Sequence, residues 1–99
     1  MQTYLITWES PNSEIQFNAG KAFVEWYDNG GEDKDPEGFE RIGWCSLVQN
    51  GSGVSIIKAS SLKEIWKVYG QWREMGLIIN IQPAATMSEA ASFFREMNI

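Results

Sequence analysis

The stretch FERIGWCSLVQNGSGVSIIKA, residues 39–59, decides the fold. Phe39–Val48 and Val54–Ala59 are rich in β-branched and aromatic residues and read as two strands. Gln49-Asn50-Gly51-Ser52-Gly53 joins them, and Asn50-Gly51 tolerates the positive φ that a tight antiparallel turn needs. A hairpin therefore sits near the middle of a 99-residue chain, and its surroundings on either side can be read outward from it.

Towards the N-terminus, Thr3-Tyr4-Leu5-Ile6-Thr7-Trp8 reads as a strand that Ser10-Pro11-Asn12 stops. Ile15, Ala19, Ala22, Phe23, Trp26 and Tyr27 then recur at three- and four-residue spacing, the stripe of an amphipathic helix that Asn29-Gly30-Gly31 ends. Towards the C-terminus, Ser60 or Ser61 caps a second helix, and Glu64 lies at the capping-box spacing from Ser61. Its stripe is Leu62, Ile65, Trp66, Tyr69, Trp72 and Met75. Gly76 closes it as a left-handed cap, and Leu77–Pro83 reads as a fourth strand. A short last helix starts at Ser88 and carries Ala90, Phe93, Phe94 and Met97 on one side.

The order is thus β-α-β-β-α-β plus a C-terminal helix. Right-handed crossovers around a central hairpin assemble it into a ferredoxin-like split βαβ of α+β class. The expected sheet is four-stranded and antiparallel, in the order 4-1-3-2, with both long helices on one face of a single domain spanning residues 1–99. The strands then say something about the other face. Leu5 opposes Tyr4, Ile6 and Trp8. Phe39, Cys45 and Leu47 oppose Ile42, Trp44 and Val48, and Ile57 and Ala59 oppose Val54 and Ile56. A sheet with one wet face alternates more cleanly. Two helices cannot cover both faces, so a second copy of the sheet, packed face to face as a homodimer, is the economical cover.

Composition narrows the chemistry. Thirteen acids against eight bases give a net charge of −5, unevenly placed: residues 1–40 hold nine acids and two bases, residues 41–99 four acids and six bases. Two neighbouring helices of opposite sign explain that asymmetry, and an acidic chain is a poor partner for nucleic acid. With no histidine and one cysteine, histidine triads, histidine-ligated metals and intrachain disulfides are excluded. No apolar run approaches a membrane span, and the opening reads as a strand rather than a signal peptide, so the expected setting is cytoplasmic. No metal and no cofactor is expected. The alternating carboxylates Asp33, Asp35 and Glu37 look like the start of a calcium loop, but Trp44 stands where its bidentate glutamate belongs. The segment therefore reads as a solvated loop. Cys45, mid-strand beside Trp44, reads as a buried and inert thiol.

Five tryptophans remain the strongest oddity. Trp26, Trp66 and Trp72 fall on helix stripes and read as core. Trp8 and Trp44 fall on strands, where they either pack the sheet or line a ligand pocket, since such pockets are mostly aromatic with a few polar groups. Tyr69 joins them as a candidate. Asn80 and Gln82, which share one parity of the last strand, are candidates to orient a bound carbonyl or hydroxyl; otherwise they are surface. A general base would have to be Glu9, Glu40, Glu64 or a tyrosine, and no spacing singles one out. No catalytic residue is assigned.

Tyr4-Leu5-Ile6-Thr7-Trp8, the hairpin around Gly43-Trp44 and Asn50-Gly51-Ser52-Gly53, and the helix with Leu62, Ile65, Trp66 and Trp72 together resemble a family of short, functionally uncharacterised bacterial proteins. That family belongs to the dimeric α+β barrel superfamily. The similarity runs over nearly the whole chain, while the acidic loop 32–37 and the Phe93-Phe94 helix have no counterpart in it. The resemblance implies the ferredoxin-like fold and the dimer. Because the superfamily includes cofactor-free monooxygenases, lactone isomerases and haem-degrading enzymes, it leaves activity open. The expected function is a non-catalytic homodimer that binds a small apolar or aromatic molecule or a protein partner. The alternative is a cofactor-free monooxygenase- or isomerase-like enzyme whose substrate supplies its own reactivity.

Overall fold

The structure, a computed structural model, describes residues 1–98. Its strands are β1 (Gln2–Glu9), β2 (Phe39–Leu47), β3 (Ser52–Ala59) and β4 (Ile78–Pro83). Its helices are α1 (Ser13–Asp28), α2 (Leu62–Glu74) and α3 (Met87–Glu96). The sheet runs β2-β3-β1-β4 with every neighbouring pair antiparallel, which is the ferredoxin-like split βαβ. No helix among the described residues is long and apolar enough to cross a membrane.

Register sets the two faces. Ile6 stands opposite Ser55 on β3 and Ile81 on β4, and Tyr4 stands opposite Ile57, so these side chains share the helix-covered face. Ile6, Phe39, Ile57, Ala59, Ile65, Val68 and Tyr69 form the buried core there, with Trp66, Trp72, Ile79 and Ile81 packed around it. The register of β2 against β3 slips between Arg41 and Gly43. Such a bulge shifts the alternation by one residue. Phe39 and Arg41 therefore share the helix face with Trp44 and Ser46, where strict alternation set Phe39 apart from Trp44. Part of the mixed pattern in this strand thus reflects the bulge rather than two covered faces.

The opposite face carries Leu5, Thr7, Val54, Ile56, Cys45 and Leu47. Cys45 is exposed in the chain rather than buried, because its parity turns it away from the helices. Ile56 (40% exposed), Leu47 (57%) and Ile78 (46%) leave much of this face open. α3 reaches its edge through Glu89, whose Oε1 accepts from Thr3 Oγ1 at 2.8 Å.

The helix ends differ from expectation in two places. Ser61 stands at the N-cap of α2, but its side chain accepts no hydrogen bond from the first turn. Glu64 instead accepts from Lys67 Nζ at 3.2 Å, and its other oxygen is buried without a partner. The capping box belongs to α3, which begins at Met87 rather than Ser88: Thr86 accepts from Glu89 N, and Glu89 Oε1 accepts from Thr86 N. Gly76 closes α2 at φ +106, and a Cβ there would press on Ile15 of α1.

Candidate functional site

The candidate site is a cavity between α1 and the sheet, of about 840 Å³. Its floor follows from a glycine. Trp8 lies flat over Gly53, its cross-strand partner on β3, and any Cβ at position 53 would collide with the indole. Trp44, next along the sheet, stacks on Trp8 with centroids 5.5 Å apart at 25°. Phe23 descends from α1 onto the same indole, 5.3 Å away and nearly parallel at 5°. The three rings run from β1 across β2 to α1. Trp72 from α2 tilts against Phe23 at 6.4 Å and meets Trp26 edge-on at 6.2 Å. Offset and edge-to-face contacts of this kind are favourable beyond the area they bury.

Polar side chains on the wall are few, and Ser10, Gln16 and Tyr69 among them are hydrogen-bonded. Tyr69 and Ser55 share a hydrogen bond of 2.6 Å between their hydroxyls, with both residues buried. Burial pushes the Tyr69 phenol above its ordinary pKa of 10.0, and the bond to Ser55 pulls partly the other way. At the far end, Gln16 Nε2 donates to Val48 O at 3.1 Å and Ser10 Oγ donates to Gly51 O at 2.7 Å. These bonds tie the β2–β3 turn to the start of α1. Among the described residues, the titratable side chains on the cavity wall are Tyr69 and Lys21. Glu9, Glu40 and Glu64, considered above as bases, lie outside it.

A family model matches residues 2–98 of the chain. The chain belongs to DUF3303, a domain of unknown function. No curated protein matches it in sequence. Among solved structures it is similar to a protein from Deinococcus radiodurans provisionally assigned as an antibiotic biosynthesis monooxygenase. That similarity stands at 13% identity and a TM-score of 0.46, over 87% of this chain and 94% of that one.

In this DUF3303 chain, three of the five candidate residues come together: Trp8, Trp44 and Tyr69 all line the cavity. Asn80 and Gln82 do not join them. Ile79 and Ile81 hold the helix-facing parity of β4, so the two amides are exposed on the opposite face, where Asn80 pairs with Thr7 and Gln82 with Leu5. Phe23 and Trp72 are the wall residues that sequence reasoning assigned only to helix stripes. A stripe carrying two or more large rings was the available signal, because rings of that size fill a layer unevenly. Ser46 also lines the wall, and its signal is plain alternation, since it stands two residues beyond Trp44 on the same face of β2. Asp35, one of the three alternating carboxylates, is engaged by Arg41 at 2.7 and 2.9 Å, and that guanidinium lies 5.2 Å over Trp26. No cluster of three or more His, Cys, Asp or Glu side chains converges among the described residues.

Proposed function

We propose that this DUF3303 chain is a non-catalytic binding protein, one domain over residues 1–99, that holds a small apolar or aromatic molecule and works as a homodimer. The observation that carries the reading is the cavity. Its volume of about 840 Å³ is in the range of ligand sites, and stacked aromatic rings form much of its wall, with few polar side chains among them. A flat indole floor favours a planar guest. The dimer is supported separately by the open sheet face, where Leu47, Ile56 and Ile78 are exposed on paired strands and a second copy would cover them.

Both parts are testable with the purified chain. Phenylnaphthylamine, an uncharged aromatic probe, is expected to bind one per chain, quench tryptophan emission and raise the melting temperature by mass action. Trp44→Ala is expected to weaken it about tenfold, the loss of one ring contact and its buried area. Sedimentation at micromolar concentration should give a dimer, and Ile56→Glu a monomer that still binds the probe. A folded chain that neither quenches nor shifts with the probe would sink the binding reading. A wild-type monomer would sink the dimer.

A further inference from the structure

α1 carries a glycine in its middle that packing does not explain. A helix-interior glycine is less stable than alanine by about 0.5–1 kcal/mol, and two structural reasons usually justify it. One is a positive φ, and Gly20 is not among the residues that adopt one. The other is close approach of a neighbour, yet a Cβ built on Gly20 meets nothing within 4 Å. Gly20 lines the cavity, between Phe17 and Val24 on the same side of the helix. Those two apolar side chains are 69% and 56% exposed. They form an apolar lip with a notch at its centre.

Beside the notch stands Lys21, the one charged residue on the cavity wall among the described residues. The described ion pairs are Arg41 with Asp35 and Lys67 with Glu64, so no described carboxylate lies within 4.0 Å of the Lys21 ammonium. An apolar wall, a gap in its lip and a single cation at that gap are complementary to a molecule with a hydrophobic body and one acidic group. We infer that the ligand of this cavity is an amphipathic anion whose body crosses α1 at Gly20 and whose acidic group meets Lys21. The inference rests on the cavity being a binding site. A cationic ligand would meet Lys21 at the same exit and no described carboxylate on the wall.

Two probes and three variants test it. Anilinonaphthalene sulfonate shares the aryl frame of phenylnaphthylamine and adds one acidic group. It is expected to bind about threefold to fivefold more tightly than the uncharged parent, the scale of a solvent-exposed charge pair. Lys21→Gln should abolish that preference, read as the ratio of the two probes' affinities within the same variant. Gly20→Leu should raise the melting temperature, since leucine is the better helix former, and weaken both probes at least about tenfold. Gly70 of α2 is the control: its Cβ position is also empty, but it does not line the cavity. Gly70→Ala should raise the melting temperature with both affinities unchanged. If the parent binds but the sulfonate gains nothing, or Gly20→Leu leaves both affinities intact, the inference is overturned while the cavity reading stands. If neither probe binds, both fall together.

Discussion

α1 and α2 lie on the same face of the same sheet and do different things there. α2 has 13 residues and buries Ile65, Val68 and Tyr69; α1 has 16 and buries only Ala19. The difference lies in the shape of the stripe. Ile65 and Val68 are compact, and they interlock with Ile6, Ile57 and Ala59 in a dry layer. The inward side of α1 offers Phe23, which stacks on Trp44, and Trp26, which meets Trp72 edge-on, rather than side chains that fill the layer beneath them. Packing density in protein interiors leaves little tolerance for such mismatch. Large rings act as props, and the space they hold open is the cavity.

The sharpest way to break this contrast is to truncate one residue on each helix. Ile65→Ala should cost about 2–5 kcal/mol of unfolding free energy in urea, the range for a fully buried aliphatic side chain. Val24→Ala on α1 should stay within about 0.5 kcal/mol, as exposed positions do. Comparable losses at the two positions would mean that α1 is as tightly seated as α2. A smaller effect tests the polar pair under α2. Ser55→Ala leaves the buried Tyr69 hydroxyl without its partner and should cost about 1–3 kcal/mol. Adding Tyr69→Phe to that variant should recover part of the loss, because the orphaned group is then gone. If the second change only adds damage, the pair is not the reason for the cost. The smallest effect inverts the contrast at the helix starts. Asn12 Oδ1 accepts from Ile15 N at 2.9 Å, whereas Ser61 makes no such bond. Asn12→Ala should therefore cost about 1 kcal/mol and Ser61→Ala less than about 0.5. Equal values would show that the residue type, rather than the bond, is what matters at these caps.

The contrast also separates what was legible in the residues from what was not. Element order, sheet order and the left-handed end of α2 at Gly76 follow from local signals: turn chemistry around Asn50-Gly51, three- and four-residue periodicity, and a glycine just past an apolar stripe. Trp8, Trp44 and Tyr69 were legible as a group because strand parity and helix phase aim them at one layer. Three things were not. The bulge at Ile42 depends on how two strands settle against each other, so strict alternation wrongly sets Phe39 apart from Trp44. Asn80 and Gln82 were grouped with the cavity by their chemistry, although the parity that excludes them was already visible in Leu77, Ile79 and Ile81. The void itself has no sequence signature. It exists because Phe23 lies parallel to Trp44 instead of beneath it, a choice among rotamers that only the packed structure makes.

Glu89 carries a consequence for how the molecule opens. Its Oε1 serves Thr86 N and Thr3 Oγ1 at once, and Thr3 is 86 positions away in the chain. A contact of that sequence separation contributes nothing until most of the chain has condensed, since the entropy of closing the loop must be met first. α3 buries none of its residues, so this carboxylate is its principal polar tether to β1. The helix therefore belongs to the part of the structure that forms last and leaves first. Its amide protons should exchange through local opening at a free energy well below that of the Ile6–Ile57–Ile65 core, and the neighbouring end of β1 should share that early exchange.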